Sequence, residues 1–169
     1  SDNASNAIIS ITNIDIAPIA RMLGRPDLAA RVDGAVDIAE SAGTLNGDAE
    51  LNFRDLRVIQ SGLPAVRARL VATIVENSIS TRFNLVDVEQ NLEIDGAADL
   101  QLRAVDQSLA YTLDTAAPIF VALTGSGDIS ALLGLVGPPD VSLDGQINLD
   151  LSGQGLIETI SLTGPVTLR

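Results

Sequence analysis

Period-two alternation constrains this chain more than any other feature. Between Gln146 and Ser152, Ile147, Leu149 and Leu151 alternate with Asn148, Asp150 and Ser152. A strand places successive side chains on opposite faces, so such a run has one apolar face and one wet face. Ala49, Leu51 and Phe53 alternate in the same way with Glu50, Asn52 and Arg54. Ala68, Leu70, Ala72 and Ile74 alternate with Arg67, Arg69 and Thr73. Ile79, Thr81, Phe83 and Leu85 alternate with Ser80, Arg82 and Asn84. Leu92 and Ile94 oppose Glu93 and Asp95, and Ala98, Leu100 and Leu102 oppose Asp99, Gln101 and Arg103. Further extended stretches lie at Ile8–Ile11, Val32–Ala39, Leu56–Ile59, Tyr111–Leu113 and Ile119–Leu123, and at the pairs Ile160 and Leu162, then Val166 and Leu168. Strand after strand with short connections reads as an all-β chain. A sandwich satisfies the pattern, because its two inner faces cover one another. A long curved sheet, apolar inside and wet outside, satisfies it equally.

Two short helical insertions interrupt the strands. One runs from Asp15 to Leu23, with Pro18 suited to a first turn, and stops at Gly24-Arg25-Pro26-Asp27. The other runs from Asp128 to Leu135 and stops at Gly137-Pro138-Pro139-Asp140. Asp15 to Asp128 and Asp27 to Asp140 are both 113 positions apart (128 − 15 and 140 − 27). Each unit leads to an Asp-Gly before a strand, Asp33-Gly34 and Asp144-Gly145. A constant offset between irregular loops indicates an internal repeat, with units of about 8–120 and 121–169 onward. Residues 1–7 are small and polar and read as linker; 8–169 reads as a single β-rich segment of a larger repetitive protein.

Composition narrows the chemistry. The net charge is −12, every basic residue is Arg, and there is no His, Cys or Lys. Such a chain repels nucleic acid, whose main affinity term would have the wrong sign. Without His, Cys or Lys, the usual nucleophile–base pairs and Ser–Lys catalysis lack their parts, and so does zinc of the N/S type. No enzyme and no cofactor are expected. Glu93 and Asp95, like Asp48, Glu50, Asp99, Asp144 and Asp150, fall on the polar sides of strands, where solvation explains them better than calcium or acid–base work. Gly125-Ser126-Gly127 between strand and helix imitates a dinucleotide fingerprint, but Ser130 stands at the third glycine position. A tight turn with Asp128 or Ser130 capping the helix is the simpler reading. No apolar run is long enough to span a bilayer.

Hydrophobic residues make up 46% of the chain and aromatic residues only 2%. The apolar surface is therefore almost entirely Leu, Ile, Val and Ala. Specific interfaces and small-molecule pockets lean on aromatics. A smooth aliphatic surface suits a core, or a partner equally smooth, such as acyl chains.

The run D-I-A-P-I-A-R-M-L-G-R-P-D followed by D-G-A-V-D-I-A resembles the TamB family. So does D-I-S-A-L-L-G-L-V-G-P-P-D followed by D-G-Q-I-N-L-D-L-S-G. That family comprises inner-membrane-anchored subunits of the translocation and assembly module of Gram-negative bacteria, related to AsmA-like bridge proteins. One departure is the spacing: Asp33-Gly34 follows Asp27 by six residues, while Asp144-Gly145 follows Asp140 by four. The resemblance implies an elongated sheet folded into an open, taco-like groove with an aliphatic interior. It implies a periplasmic segment that carries phospholipid between the inner and outer membranes and supports outer-membrane biogenesis. Its partners would be phospholipid acyl chains, an Omp85-type outer-membrane barrel subunit and outer-membrane proteins such as autotransporters. The candidate groove-lining residues are Leu51, Phe53, Leu70, Ile74, Phe83, Leu85, Leu92, Ile94, Leu100, Leu102, Val121, Leu123, Ile147, Leu149, Leu151, Ile160 and Leu162. The alternative is a chaperone module that holds unfolded barrel or autotransporter strands by β-augmentation. A third reading is a purely structural sandwich domain.

Overall fold

The computed structural model describes residues 4–22, 24, 26–58, 65–87, 89, 91–105, 111–130 and 144–169. The strands are β1 (Ser5–Asp15), β2 (Leu28–Ser41), β3 (Thr44–Val58), β4 (Val66–Val75), β5 (Ser78–Asp87), β6 (Leu92–Ala104), β7 (Tyr111–Leu113), β8 (Ile119–Asp128), β9 (Gln146–Gly155) and β10 (Val166–Leu168). One helix, α1 (Ala17–Met22), lies between β1 and β2. Of the second expected helix, Asp128 ends β8, Ile129 and Ser130 are helical, and 131–135 lie outside the described residues. Asp128 Oδ1 accepts the amide and the hydroxyl of Ser130, which is the capping role expected of it. Asp15 Oδ1 accepts the amide of Ala17 in the same way.

The strands form a single antiparallel sheet in the order β1-β2-β3-β4-β5-β6-β8-β9-β10, with β7 also paired to β6. Neighbours in sequence are neighbours in space. The turns Ala42-Gly43 and Glu76-Asn77 are two-residue hairpins whose residues all take left-handed or positive φ, as tight hairpins require. Asn77 locks its turn to the next one: its Oδ1 accepts the Leu45 amide and its Nδ2 donates to the Gly43 carbonyl.

Among the described residues no second layer covers this sheet. Apart from α1 against β2, the substantial contacts between described elements are all between ladder partners. The accessible surface is 10741 Å², against roughly 7,900 Å² for a compact monomer of this mass. The sandwich reading therefore gives way to an open sheet that does not close into a barrel.

Two β-bulges keep the faces in phase. Ile11 pairs Gly34 and Ile14 pairs Val32, so β1 carries one extra residue there. Arg54 pairs Arg31 and Arg57 pairs Ala29, so β3 carries another. Asn13 and Asp55 lie in these intervals with left-handed φ of 51° and 54°. Without the second bulge Arg57 would share the face of Phe53. With it, Arg54 and Arg57 both join Arg31 on the polar face, and Leu56 turns to the apolar one.

Every glycine inside a strand falls on the apolar face: Gly34, Gly47, Gly96, Gly125, Gly127, Gly153 and Gly155. On the inner side of a curved sheet, side chains of neighbouring strands converge, and space is shortest there. A Cβ on Gly34 would lie 2.1 Å from the Glu50 carbonyl oxygen and 2.9 Å from Leu51 Cδ2. A Cβ on Gly96 would enter the Phe83 ring, which lies over this glycine. Gly34→Val is expected to destabilise the protein by about 1–3 kcal/mol, because backbone must shift to admit it. Urea unfolding measures this; Ala35→Val, facing outward one residue later, is expected to cost little and serves as the control.

Candidate functional site

Registers collect the aliphatic residues into rows that cross the sheet. One row runs Gly34, Leu51, Leu70, Phe83, Gly96, Leu123, Leu151. A second runs Val32, Phe53, Ala68, Leu85, Ile94, Gly125, Leu149, Val166. A third runs Ile38, Gly47, Ile74, Ile79, Leu100. These rows contain no charged side chain. The opposite face carries Asp48, Glu50, Arg69, Arg82, Asp95, Asp99 and Asp150. On it Ser80 Oγ donates to Asp99, Asn84 Nδ2 to Asp95, and Thr73 Oγ1 to Asp48.

The structure thus brings Leu51, Phe53, Leu70, Ile74, Phe83, Leu85, Leu92, Ile94, Leu100, Leu102, Val121, Leu123, Ile147, Leu149 and Leu151 onto one face. Ile160 and Leu162 are not in a strand. They lie in the connection from β9 to β10, joined to β9 by the single bridge between Ser152 and Thr163. Leu162 still reaches the inner face, where its Cδ2 would sit 3.2 Å from a Cβ on Gly153.

Burial along the face is uneven. Ala20, Ala30, Val32, Val66, Leu92, Ile94, Ile129 and Ile147 are buried. All lie at the end of the sheet that carries α1, the β5–β6 turn and the connection from β8 to β9. There Leu92 is 1% exposed and packs with Ile94, Leu85 and Leu123. At the opposite end Leu45 and Ile119 are also buried, and between the two ends the face is half-buried, with Phe83 39% exposed.

A cavity shared across the face shows which way the sheet bends. Tyr111 of β7 lines one cavity with Ser5, Asn6 and Ala7 of β1, Ile38 and Glu40 of β2, and Leu45 of β3. Five strand spacings separate β2 from β7 along the sheet, or about 24 Å if it were flat. No side chain spans that distance. The apolar face is therefore on the inside of the curve, and β7 comes round toward β1–β3. Desolvation raises the pKa of the Tyr111 hydroxyl above its ordinary value of 10.0, and the Glu40 carboxylate raises it further. Sequence reasoning missed Tyr111, Glu40 and Leu45 as members of this face. The available signal was that Tyr111 is the one tyrosine in a chain nearly free of aromatics.

No family model, curated protein or solved structure matches the chain. What the site can do must therefore come from its own geometry. Among the described residues no group of three or more carboxylates is placed to hold a metal, and no helix is long and apolar enough to cross a membrane.

The outer face contributes stability that depends on pH. Asn52 and then Arg69 hydrogen-bond Glu50, and the Arg69 charge adds to them, so the Glu50 pKa falls below its ordinary 4.5. A depressed carboxylate stabilises the fold above the unfolded pKa, and this is lost as pH falls through the folded one. Between about pH 6 and about pH 3, Glu50→Gln is expected to lose less stability than the parent in urea unfolding.

Proposed function

We propose that this chain is a segment of a TamB-like periplasmic protein, and that its aliphatic inner face carries the acyl chains of phospholipids between membranes. The observation that carries this reading is the uncovered apolar face on the inside of the curve, with no charge in its central rows and almost no aromatic surface. A core would be covered by a second layer. A small-molecule pocket would present converging polar groups. A concave aliphatic strip open to solvent offers what an acyl chain needs, which is removal of methylenes from water without directional contacts. In the whole protein, an Omp85-type barrel would receive the lipid, and outer-membrane protein assembly would depend on it.

The test is uptake of neutral alkyl glycosides below their micellar concentration. Burial of a methylene is worth ~0.8 kcal/mol, so affinity is expected to rise up to about fourfold per added methylene. Binding independent of chain length would refute an acyl path.

A second reading has one observation of its own. Among the described strands β1 pairs only with β2, and along its exposed length Ile8 is 70% exposed. Such an edge can accept a strand of an unfolded barrel protein by β-augmentation. Proline substitutions in β1 that remove peptide binding while alkyl uptake persists would favour it.

A further inference from the structure

We propose that Glu40, Ser5 and Tyr111 form a binding site for the primary ammonium of an amine-headed lipid, at the rim of the trough. The inference rests on the acyl-carrying reading and names the headgroup that goes with the chains. Ser5 pairs Glu40, and Glu40 pairs Leu45, so these three stand on the inner face at the end of the sheet away from α1. With Tyr111 and Ile38 they line a cavity of about 170 Å³. One side of it is polar, from Glu40, Ser5 and the tyrosine hydroxyl. The other is aliphatic and leads into the rows that contain Ile38, Ile74 and Leu100.

The carboxylate is held in place rather than neutralised. Glu40 Oε1 accepts the Gly43 amide at 2.8 Å, and Oε2 accepts the Ser5 hydroxyl at 3.4 Å. Each oxygen keeps a lone pair. Among the described residues Glu40 makes no ion pair. The tyrosine ring adds a face that attracts an ammonium by its quadrupole. The chain as a whole, at −12, draws cations and repels anionic headgroups. A carboxylate and a phenol next to an aliphatic strip match an amphiphile whose head is an ammonium.

Two measurements test the site, one without chains and one with them. In the first, glycerophosphoethanolamine and glycerophosphoglycerol are titrated while the NMR signals of Glu40 and Tyr111 are followed. Perturbation by the ethanolamine compound alone is expected; equal response to both, or none, would overturn the site. In the second, uptake from phosphatidylethanolamine vesicles is compared with uptake from phosphatidylglycerol vesicles, with a neutral alkyl glycoside reporting on the trough. A preference of about tenfold for the amine lipid is expected, lost in Glu40→Gln with alkyl glycoside uptake retained. If Glu40→Gln keeps the preference, the headgroup site is wrong and the acyl reading stands. If the parent protein takes up no alkyl glycoside, the acyl reading fails, and the soluble-headgroup titration judges the site alone. A lysine peptide that perturbs Glu40 and Tyr111 more strongly than glycerophosphoethanolamine would assign the ammonium to protein and overturn the lipid proposal.

Discussion

Leu92→Arg is expected to leave no folded protein, whereas Leu149→Arg is expected to fold and lose alkyl uptake. Both leucines stand on the same apolar face. They differ in what surrounds them. Leu92 is 1% exposed and packed among Leu85, Ile94 and Leu123. Gly127 approaches so closely that a Cβ there would lie 2.5 Å from the Leu92 Cα. A guanidinium at this position would be forced into a packed apolar cluster whose cross-strand carboxylate, Asp87, is itself buried and already accepts the Glu89 amide, at a cost of several kcal/mol. That is comparable with the roughly 5–15 kcal/mol that holds a domain together. Leu149 is half-buried, paired to Gly125 on one side and to Val166 on the other, and Val166 is itself 53% exposed. An arginine introduced there can lay its methylenes on the sheet and extend its charge toward the opening. The fold survives, but each passing acyl chain must then desolvate a charge. Melting curves and alkyl glycoside uptake on both variants decide the matter, with Asn148→Arg on the outer face as control. An unfolded Leu149→Arg would mean that the inner face is closed there. A folded variant with full uptake would mean that no acyl path crosses it.

The two leucines also mark what was legible in the sequence. Which face each belongs to is a matter of period two, and both stand in register with the aliphatic residues of the neighbouring strands. How buried each is depends on which connections fold over the sheet, and that is not local information. The bulge at Asp55 shows the same limit at shorter range. Phe53, Asp55 and Arg57 share a face in any unbroken strand, yet the extra residue sends Arg57 outward to join Arg31 and Arg54. Its only local sign is an Asp in a left-handed conformation, which many strand residues could not tolerate. Ile119 and Phe120 are adjacent and both apolar, so the pattern is weakest here, although Ile119 is in phase with Val121 and Leu123, which the sequence reading turns toward the groove. The sheet buries Ile119 and leaves Phe120 39% exposed on the outer face, beside Asp99 and Gln154. Period two could not decide between sandwich and open sheet, because both give every strand one apolar and one polar side. The glycines of the described strands mark the inner side, since each of them falls on the face where neighbouring strands crowd.

A cysteine pair made by Ile38→Cys and Tyr111→Cys is expected to be joined within one molecule by a short bifunctional thiol reagent. The sequence offers no hint of this approach, because residues 38 and 111 sit in strands that never pair. On a flat sheet their backbones would be about 24 Å apart, beyond the reach of such a reagent. On the curved sheet both side chains line one cavity. The natural thiol background is nil, since the chain has no cysteine. Ala39→Cys with Thr112→Cys is the matched control: each lies one residue along its strand and faces outward, where curvature moves side chains apart. Linkage of the inner pair but not the outer pair, abolished in denaturant, is the expected result. Equal linkage of both pairs would mean that the approach reflects backbone mobility and not the direction of the bend. Linkage of neither would flatten the sheet, and with it would go the trough, because an aliphatic face without an inside is only an exposed one.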